Sequence, residues 1–132
     1  MAEERWFSAV LILKSRVASE LPDRSLADIQ YRILRAPDAE AAYVRALAIG
    51  RSEEHSYQNS EGREVSWSFI GLRDLRELPD GQPSDGSEVY SQIAHSDPKE
   101  LVVPKERLTV FWLEANEDRT VEDLLEDDER VV

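Results

Sequence analysis

The side chains best suited to chemistry in this sequence lie mostly in one stretch, EEHSYQNSEGREVSWSF, at residues 53–69. His55 is one of two histidines in the chain, and imidazole is the side chain that titrates near neutral pH. General base catalysis, with Tyr57 and Glu54 close by in sequence, is therefore the reaction chemistry to consider. The candidate ligand or partner contacts are His55, Tyr57, Asn59, Trp67 and Tyr90.

Strand geometry weakens the catalytic interpretation of His55. Successive side chains of a strand point to opposite faces, so Glu54 cannot orient the His55 ring. Ser56 fails as a nucleophile for the same reason. Nothing in the sequence brings His55 and His95 together to share a metal ion. Packing of the His55 ring on Trp67 is favoured, and we predict no catalytic residue, no metal site and no cofactor.

The element that positions these residues is a β-hairpin. Asn59–Gly62 reads NSEG, with Asn at the first position of a type I turn and Gly at the fourth, where a left-handed conformation gives a bulge. This turn predicts that His55 pairs with Trp67 and Tyr57 with Val65. Period two then places the aromatic rings on one face of the hairpin.

The remaining elements follow from hydrophobic periodicity. Residues 6–13 are apolar on both alternating faces, which is typical of a central strand. A second, antiparallel strand is predicted at 26–36, with Ile29, Tyr31 and Ile33 facing inward. A helix is predicted at 36–51, with Pro37 at its start and Gly50 as a left-handed cap at its end. Further strands are predicted at 65–78, 88–95 and 107–115.

The predicted fold class is therefore α+β: a mainly antiparallel sheet of five to six strands with one main helix on one face, in the order β-β-α-β-β-β. Residues 1–115 form a single domain in this interpretation. Residues 116–132 form an acidic tail or a short acidic C-terminal helix near 120–129, with Thr120 as its cap. The strand at 6–13 needs a cover on both faces, and the helix supplies one. We therefore expect a partner subunit or residues 107–113 on the other face, and a homodimer or larger assembly.

Charge and composition restrict the partners. The 132 residues carry 28 acids against 16 lysines and arginines, a net charge of −12. Nucleic acid and an anionic membrane surface are excluded, because both require clustered cations. The acidic charge leaves open a basic protein, a cationic ligand or a metal ion, and of these we expect a basic protein partner. The chain has no cysteine, no apolar run long enough to span a membrane and no leader-like start, so we expect a cytoplasmic protein.

Several segments together resemble a family of small bacterial domains of unknown function. The pattern is an opening WFSA strand, an alanine-rich helix, a Tyr-x-Asn turn, a Trp-x-Phe-x-Gly strand and a closing EVYS, and it covers about residues 5–95. The matching positions are Trp6, Phe7, Tyr57, Asn59, Gly62, Trp67, Phe69, Gly71, Glu88 and Tyr90. The resemblance implies a bacterial, cytoplasmic setting, and it transfers no catalytic residue.

These observations predict a non-enzymatic protein-interaction module with an acidic surface, of the kind found in inhibitor or immunity-like proteins. The alternative is a small-ligand-binding or hydrolytic domain that uses the face of His55, Tyr57 and Trp67. A concave pocket lined by these three side chains would favour the alternative, and a flat or filled face would favour the interaction module.

Overall fold

A computed structural model describes residues 3–18 and 25–120 of the chain. The chain divides into two compact units, residues 1–91 and 92–132. In the first unit the elements are β1 (Arg5–Val17), β2 (Ala27–Ala36), α1 (Ala39–Ser52), β3 (His55–Gln58) and β4 (Glu64–Glu77). In the second unit they are α2 (Pro98–Leu101), a 3₁₀ turn (Lys105–Arg107) and α3 (Thr109–Ala115).

The four strands form one antiparallel sheet in the order β2-β1-β4-β3. β1 is an inner strand, as its doubly apolar sequence predicts. β4 bulges twice against β1, at the two positions where Ile70 and Arg73 have no counterpart, and Gly71 between them has φ 152°. A glycine within a strand is typical of such an irregularity.

Helix α1 packs on one face of this sheet, which we call the helix face. Ala42 and Ala46 are fully buried there, because alanine lets the helix backbone come close to the strands. The sheet contributes the core residues Phe7, Ala9, Leu11, Leu13, Leu34 and Ala36. Burial of this cluster stabilises the first unit by about 25 cal/mol for each Å² of apolar surface removed from water.

The helix forms as predicted, but both of its ends differ from the prediction. Pro37 is not the first helical residue but lies before the cap, and the helix begins at Ala39. The side chain of Asp38 caps it by accepting a hydrogen bond from the backbone N–H of Ala41 at 2.8 Å. Gly50 is not a left-handed cap. It lies inside the helix, which continues to Ser52, and it is buried. Glycine is required at this position because a Cβ there would lie 2.4 Å from the ring of Phe69.

The orientation predicted for β2 is wrong. Leu34 and Ala36 are the buried residues of this strand and lie on the helix face. Ile29, Tyr31 and Ile33 lie on the opposite face, which we call the second face, and are 42%, 53% and 44% exposed. Both faces of β2 carry apolar residues, and periodicity alone does not say which of them a helix covers.

The hairpin prediction is confirmed in each of its parts. His55 pairs with Trp67 and Tyr57 with Val65. The backbone N–H of Gly62 donates to the carbonyl of Asn59 at 2.9 Å, and Gly62 has φ 78°. The turn residues alone were sufficient here, because hairpin register depends on local backbone geometry.

Two predicted strands are wrong. Residues 88–95 form no strand and pair with none of the four described strands. Thr109–Ala115 is an α-helix with Leu108 before its first turn. The β-branched and aromatic residues of this segment favour a strand, yet Leu108, Trp112 and Ala115 also recur at helical spacing. The predicted acidic helix near 120–129 falls, from residue 121 onward, outside the described residues.

Candidate functional site

The hairpin aromatics were the first candidate site, and they divide in two: Trp67 is partly buried against the core cluster, and His55 and Tyr57 lie on the surface. His55 and Tyr57 are exposed, and their rings stack with centroids 6.0 Å apart and an interplanar angle of 18°. The His55 ring therefore packs on its strand neighbour Tyr57. Its Nδ1 lies 2.8 Å from the backbone carbonyl of Glu53, which orients the ring by a local contact.

The groups that would assist His55 in a reaction are used elsewhere. Glu54 accepts a hydrogen bond from the backbone N–H of Phe69 at 3.0 Å, so this carboxylate secures β3 to β4. Asn59 Oδ1 accepts from the N–H groups of Glu61 and Arg63, both at 3.0 Å, which stabilises the turn. Neither of the two clefts described below includes His55, Tyr57 or Trp67.

Tyr90, the fifth candidate, lies away from the hairpin in a polar cluster on the second face. Its hydroxyl donates to Asp74 Oδ2 at 3.1 Å, and Arg76 Nε donates to the same oxygen at 2.9 Å. The Arg76 guanidinium also lies over the Tyr90 ring, 4.7 Å from its centroid. Tyr31 of β2 packs against Tyr90 with ring centroids 5.3 Å apart. The segment that follows β4 is thereby held against the sheet.

The cluster changes the acidity of two of its members. The backbone N–H of Leu75, followed by the hydrogen bonds from Arg76 and Tyr90, lowers the pKa of Asp74 below its ordinary value. Partial loss of hydration, followed by the hydrogen bond to the Asp74 carboxylate, raises the pKa of the Tyr90 hydroxyl. Asp74 is consequently charged and Tyr90 neutral across the physiological range.

A cleft of about 280 Å³ opens beside this cluster. Ser8 of β1 and Arg76 of β4 lie on one side of it, and the segment after β4 supplies Tyr90 and Ser91. The remaining lining residues are Glu77, Leu78, Pro79, Glu88 and Val89. Arg76 Nη1 donates to Ser91 Oγ at 3.4 Å across this cleft. The cleft therefore combines an apolar wall with a cation, two carboxylates and hydroxyl groups.

In a second depression, near the start of β1, both arginines are already paired. Arg5 forms an ion pair with Glu77 at 2.8 Å, and Arg35 pairs with Glu4 at 3.4 Å while lying over the ring of Trp6. The acidic partners of both arginines line the same depression, so a ligand anion would have to compete with them. Of the two clefts, the one beside Tyr90 is the better binding site.

Sequence reasoning identified Tyr90 but missed Ser8, Asp74 and Arg76. These residues come from separate strands, and only the pairing of β1 with β4, which sets Ser8 opposite Arg76 and Val10 opposite Asp74, brings them together. The spacing of Asp74 and Arg76, two residues apart on a predicted strand, already placed them on one face. That signal was available, but nothing marked the face as a site.

Two negative observations hold for residues 3–18 and 25–120. No three histidine or acidic side chains of this part of the chain lie close enough together to hold a metal ion. No helix within it has the length and apolar character required to cross a membrane.

Comparison with known proteins bears on the first unit. Neither the curated proteins nor the solved structures include a match to this chain. The model of one protein family does match, over residues 6–91, about two thirds of the chain. This range contains nearly all of the four-stranded sheet, helix α1 and the cleft beside Tyr90. The resemblance expected over about residues 5–95 is thereby confirmed, and the chain belongs to the family Domain of unknown function (DUF4288).

Proposed function

We propose that this protein is a non-enzymatic protein-interaction module of the bacterial cytoplasm, which dimerises through strand β2 and binds a basic protein partner with its acidic surface. The observation that carries the proposal is the exposed edge strand. β2 is ten residues long, and β1 is its one strand neighbour within the described residues. A long edge strand presents unpaired backbone groups that a second chain can extend.

The outward groups of β2 can be assigned from its pairing with β1. The N–H of Ser15 donates to the carbonyl of Leu26 at 2.9 Å, so even-numbered residues of β2 point their backbone groups toward β1. The odd-numbered residues Ile29, Tyr31 and Ile33 therefore direct their N–H and C=O groups outward. Their side chains lie on the second face and are about half exposed. Backbone pairing and apolar burial thus favour the same edge.

Charge selects one register for self-pairing. In an antiparallel dimer centred on Gln30, Asp28 of each subunit lies opposite the partner's Arg32, and Ile29 lies opposite the partner's Tyr31. A register centred on Arg32 would instead oppose like charges. A slip of one strand by a single residue is excluded because it would bring inward-pointing groups to the interface. A register centred on Tyr31 would oppose Gln30 to Arg32 and so lose the pairing of opposite charges. The pairing centred on Gln30 is self-complementary, as a two-fold interface requires.

The acidic surface is concentrated outside the family-matched range. Residues 92–132 contain twelve acids and five bases, and residues 1–91 contain sixteen acids and eleven bases. More than half of the net charge of −12 thus belongs to the shorter unit. A basic protein is the complementary partner, and an inhibitor or immunity-like role agrees with this charge.

The hydrolytic alternative at His55 has less support. His55, Tyr57 and Trp67 line neither cleft, and the acid beside His55 is bound to the backbone of Phe69. Because these three side chains line neither cleft and Trp67 packs against the core, this face favours the interaction module.

Dimerisation is tested by sedimentation of the full chain and of an Ile33→Lys variant. We expect a dimer for the natural sequence and a monomer for the variant, because a desolvated lysine at the interface is unfavourable. Val44→Lys is the matched control: Val44 is 64% exposed on α1, away from β2, and its replacement should leave the dimer intact. A natural chain that sediments as a monomer at high micromolar concentration would refute dimerisation.

The register is tested by cysteine cross-linking, for which the chain is suited because it has no cysteine. Gln30→Cys places two thiols at a non-hydrogen-bonded pair on the two-fold axis, with Cα atoms about 4.5 Å apart, within disulfide range. We expect rapid disulfide-linked dimer on mild oxidation. Gln58→Cys, on the exposed β3 at the other edge, is the control and should not cross-link.

The acidic surface is tested with poly-L-lysine as the probe. We expect the full chain to bind it and deletion of residues 116–132 to weaken binding, with the difference vanishing in high salt because the charges are screened. Equal binding of both chains at low salt would show that the C-terminal acids are not the recognition element.

A further inference from the structure

The hydroxyl of Ser8 is the polar group of the cleft beside Tyr90 that the fold does not satisfy. Ser8 is 3% exposed and lines the cleft. None of the hydrogen bonds among the described residues involves its side chain. The other buried serine, Ser15, accepts the N–H of Leu26 at 2.8 Å. A buried hydroxyl without a partner is unfavourable, and a ligand in the cleft would supply one.

Arg76 offers this cleft a cation with unused donors. A guanidinium has five N–H groups. One is donated to Asp74 and one to Ser91, which leaves three without a partner in the described part of the chain. The contacts to Asp74 and the Tyr90 ring hold the guanidinium in place. A fixed arginine with free donors is suited to a carboxylate, which it can bind through two parallel hydrogen bonds.

The opposite charge is supplied by Glu88. Glu77 also lines the cleft, but it is paired with Arg5 at 2.8 Å. Glu88 forms no ion pair with any described residue. An ammonium group is the complement of such a carboxylate. The charges of the cleft therefore favour a ligand that is anionic at one point and cationic at another.

From these three groups we propose that the cleft binds a free α-amino acid with an apolar side chain. Arg76 binds the carboxylate of the ligand, and Glu88 binds its ammonium group. The Ser8 hydroxyl forms a further hydrogen bond with the ligand. Leu78, Pro79 and Val89 form the wall that the apolar side chain contacts. A volume of about 280 Å³ is near the lower end of the range for ligand pockets and suits so small a molecule.

Other ligand classes fit less well. Phosphate would place at least one further negative charge among Asp74, Glu77 and Glu88, with one arginine to offset it. A neutral polyol would leave both Arg76 and Glu88 without a charged partner. Binding of an amino acid requires neither the β2 dimer nor a basic partner, so it is separate from the proposed function.

The experiment is an NMR titration of the full chain with L-leucine, N-acetyl-L-leucine and L-leucinamide. N-acetyl-L-leucine lacks the ammonium group, and L-leucinamide lacks the carboxylate. We expect L-leucine to shift the resonances of residues around the cleft and to bind at least about tenfold more tightly than either analogue, since each lacks one charge-assisted contact. The absence of binding by any of the apolar amino acids up to about 10 mM would refute the proposal, as would equal binding of glycerol.

Variants of the chain assign the contacts. Glu88→Gln should weaken L-leucine binding at least about tenfold while leaving the affinity for N-acetyl-L-leucine unchanged, because that analogue has no ammonium group. Ser8→Ala should weaken the binding of both L-leucine and N-acetyl-L-leucine. Glu64→Gln, the same change at an exposed position of β4 outside the cleft, is the matched control and should bind as the natural chain does. Unchanged affinity in both Glu88→Gln and Ser8→Ala would overturn the proposed site even if leucine binds.

Discussion

Replacement of Gly50 by alanine tests the contact between α1 and the sheet most directly. Alanine is the better helix former, so an exposed site in the same helix would gain about 1 kcal/mol of stability from this change. At position 50 the added Cβ would lie 2.4, 2.5 and 2.6 Å from three atoms of the Phe69 ring. These separations are far below van der Waals contact, so either the ring or the helix must move.

The expected magnitude follows from two opposing terms. Overpacking of a well-packed site costs about 1–3 kcal/mol, and the gain in helix propensity offsets about 1 kcal/mol of it. We therefore expect Gly50→Ala to reduce the free energy of unfolding by about 1 kcal/mol. In a Phe69→Val background the clashing ring atoms are absent, and the same change should raise it by about 1 kcal/mol. The coupling between the two positions is then about 2 kcal/mol.

Urea denaturation of the four chains of this cycle measures the coupling. Ala48→Gly is the internal control for helix propensity, because Ala48 is exposed on the same helix and should lose about 1 kcal/mol without any change in packing. If Gly50→Ala stabilises the protein in both backgrounds, α1 does not approach the sheet at this point as closely as the structure shows.

The remaining predictions concern the turn, the cluster beside the cleft and the C-terminal segment. Gly62→Val should cost more than about 1 kcal/mol in urea denaturation, since φ of 78° is unfavourable for a β-branched residue, whereas Ser60→Val in the same turn should cost less. The lowered pKa of Asp74 stabilises the folded state near neutral pH and loses this effect as pH falls below about 4, so the stability difference between the natural chain and Asp74→Asn should shrink between pH 7 and pH 3. The raised pKa of Tyr90 acts in the opposite direction: it stabilises the folded state below about pH 10, and this stabilisation is lost above that pH. The free energy of unfolding of Tyr90→Phe should therefore fall less in alkali than that of the natural chain. Deletion of residues 116–132 should leave the circular dichroism of the sheet intact, because all four strands lie before residue 78, and an unfolded truncated chain would contradict this.

The sequence was sufficient where local chemistry determines structure. The Asn59–Gly62 turn determines the register of β3 and β4, because turn type and loop length alone determine how a hairpin pairs. The doubly apolar β1 was placed inside the sheet for an equally direct reason, since no solvent-facing strand would be apolar on both faces. Both inferences depend on a few adjacent residues.

The sequence was insufficient where long-range contacts determine structure. Residues 109–115 satisfy a strand pattern and a helix pattern at once, and tertiary contacts decide between them. Residues 88–91 alternate like a strand, yet Tyr90 is held by Asp74 and Arg76 rather than by a strand neighbour. The cleft was missed for the same reason, because Ser8 lies 68 positions before Arg76 and becomes its neighbour through sheet pairing alone.

The two-sided character of β2 connects these observations to function. Leu34 and Ala36 belong to the core under α1, and if folding were the sole constraint, the alternating positions would be expected to be polar, as on the solvent side of an antiparallel sheet. They are instead Ile29, Tyr31 and Ile33, each about half exposed. Tyr31 packs its ring against Tyr90, and this contact explains why one of the three positions is not polar. Ile29 and Ile33 remain 42% and 44% exposed. Because they belong to the residues whose backbone groups point outward from an edge strand, we propose pairing with a second β2 as the arrangement that would bury their side chains and satisfy those backbone groups together.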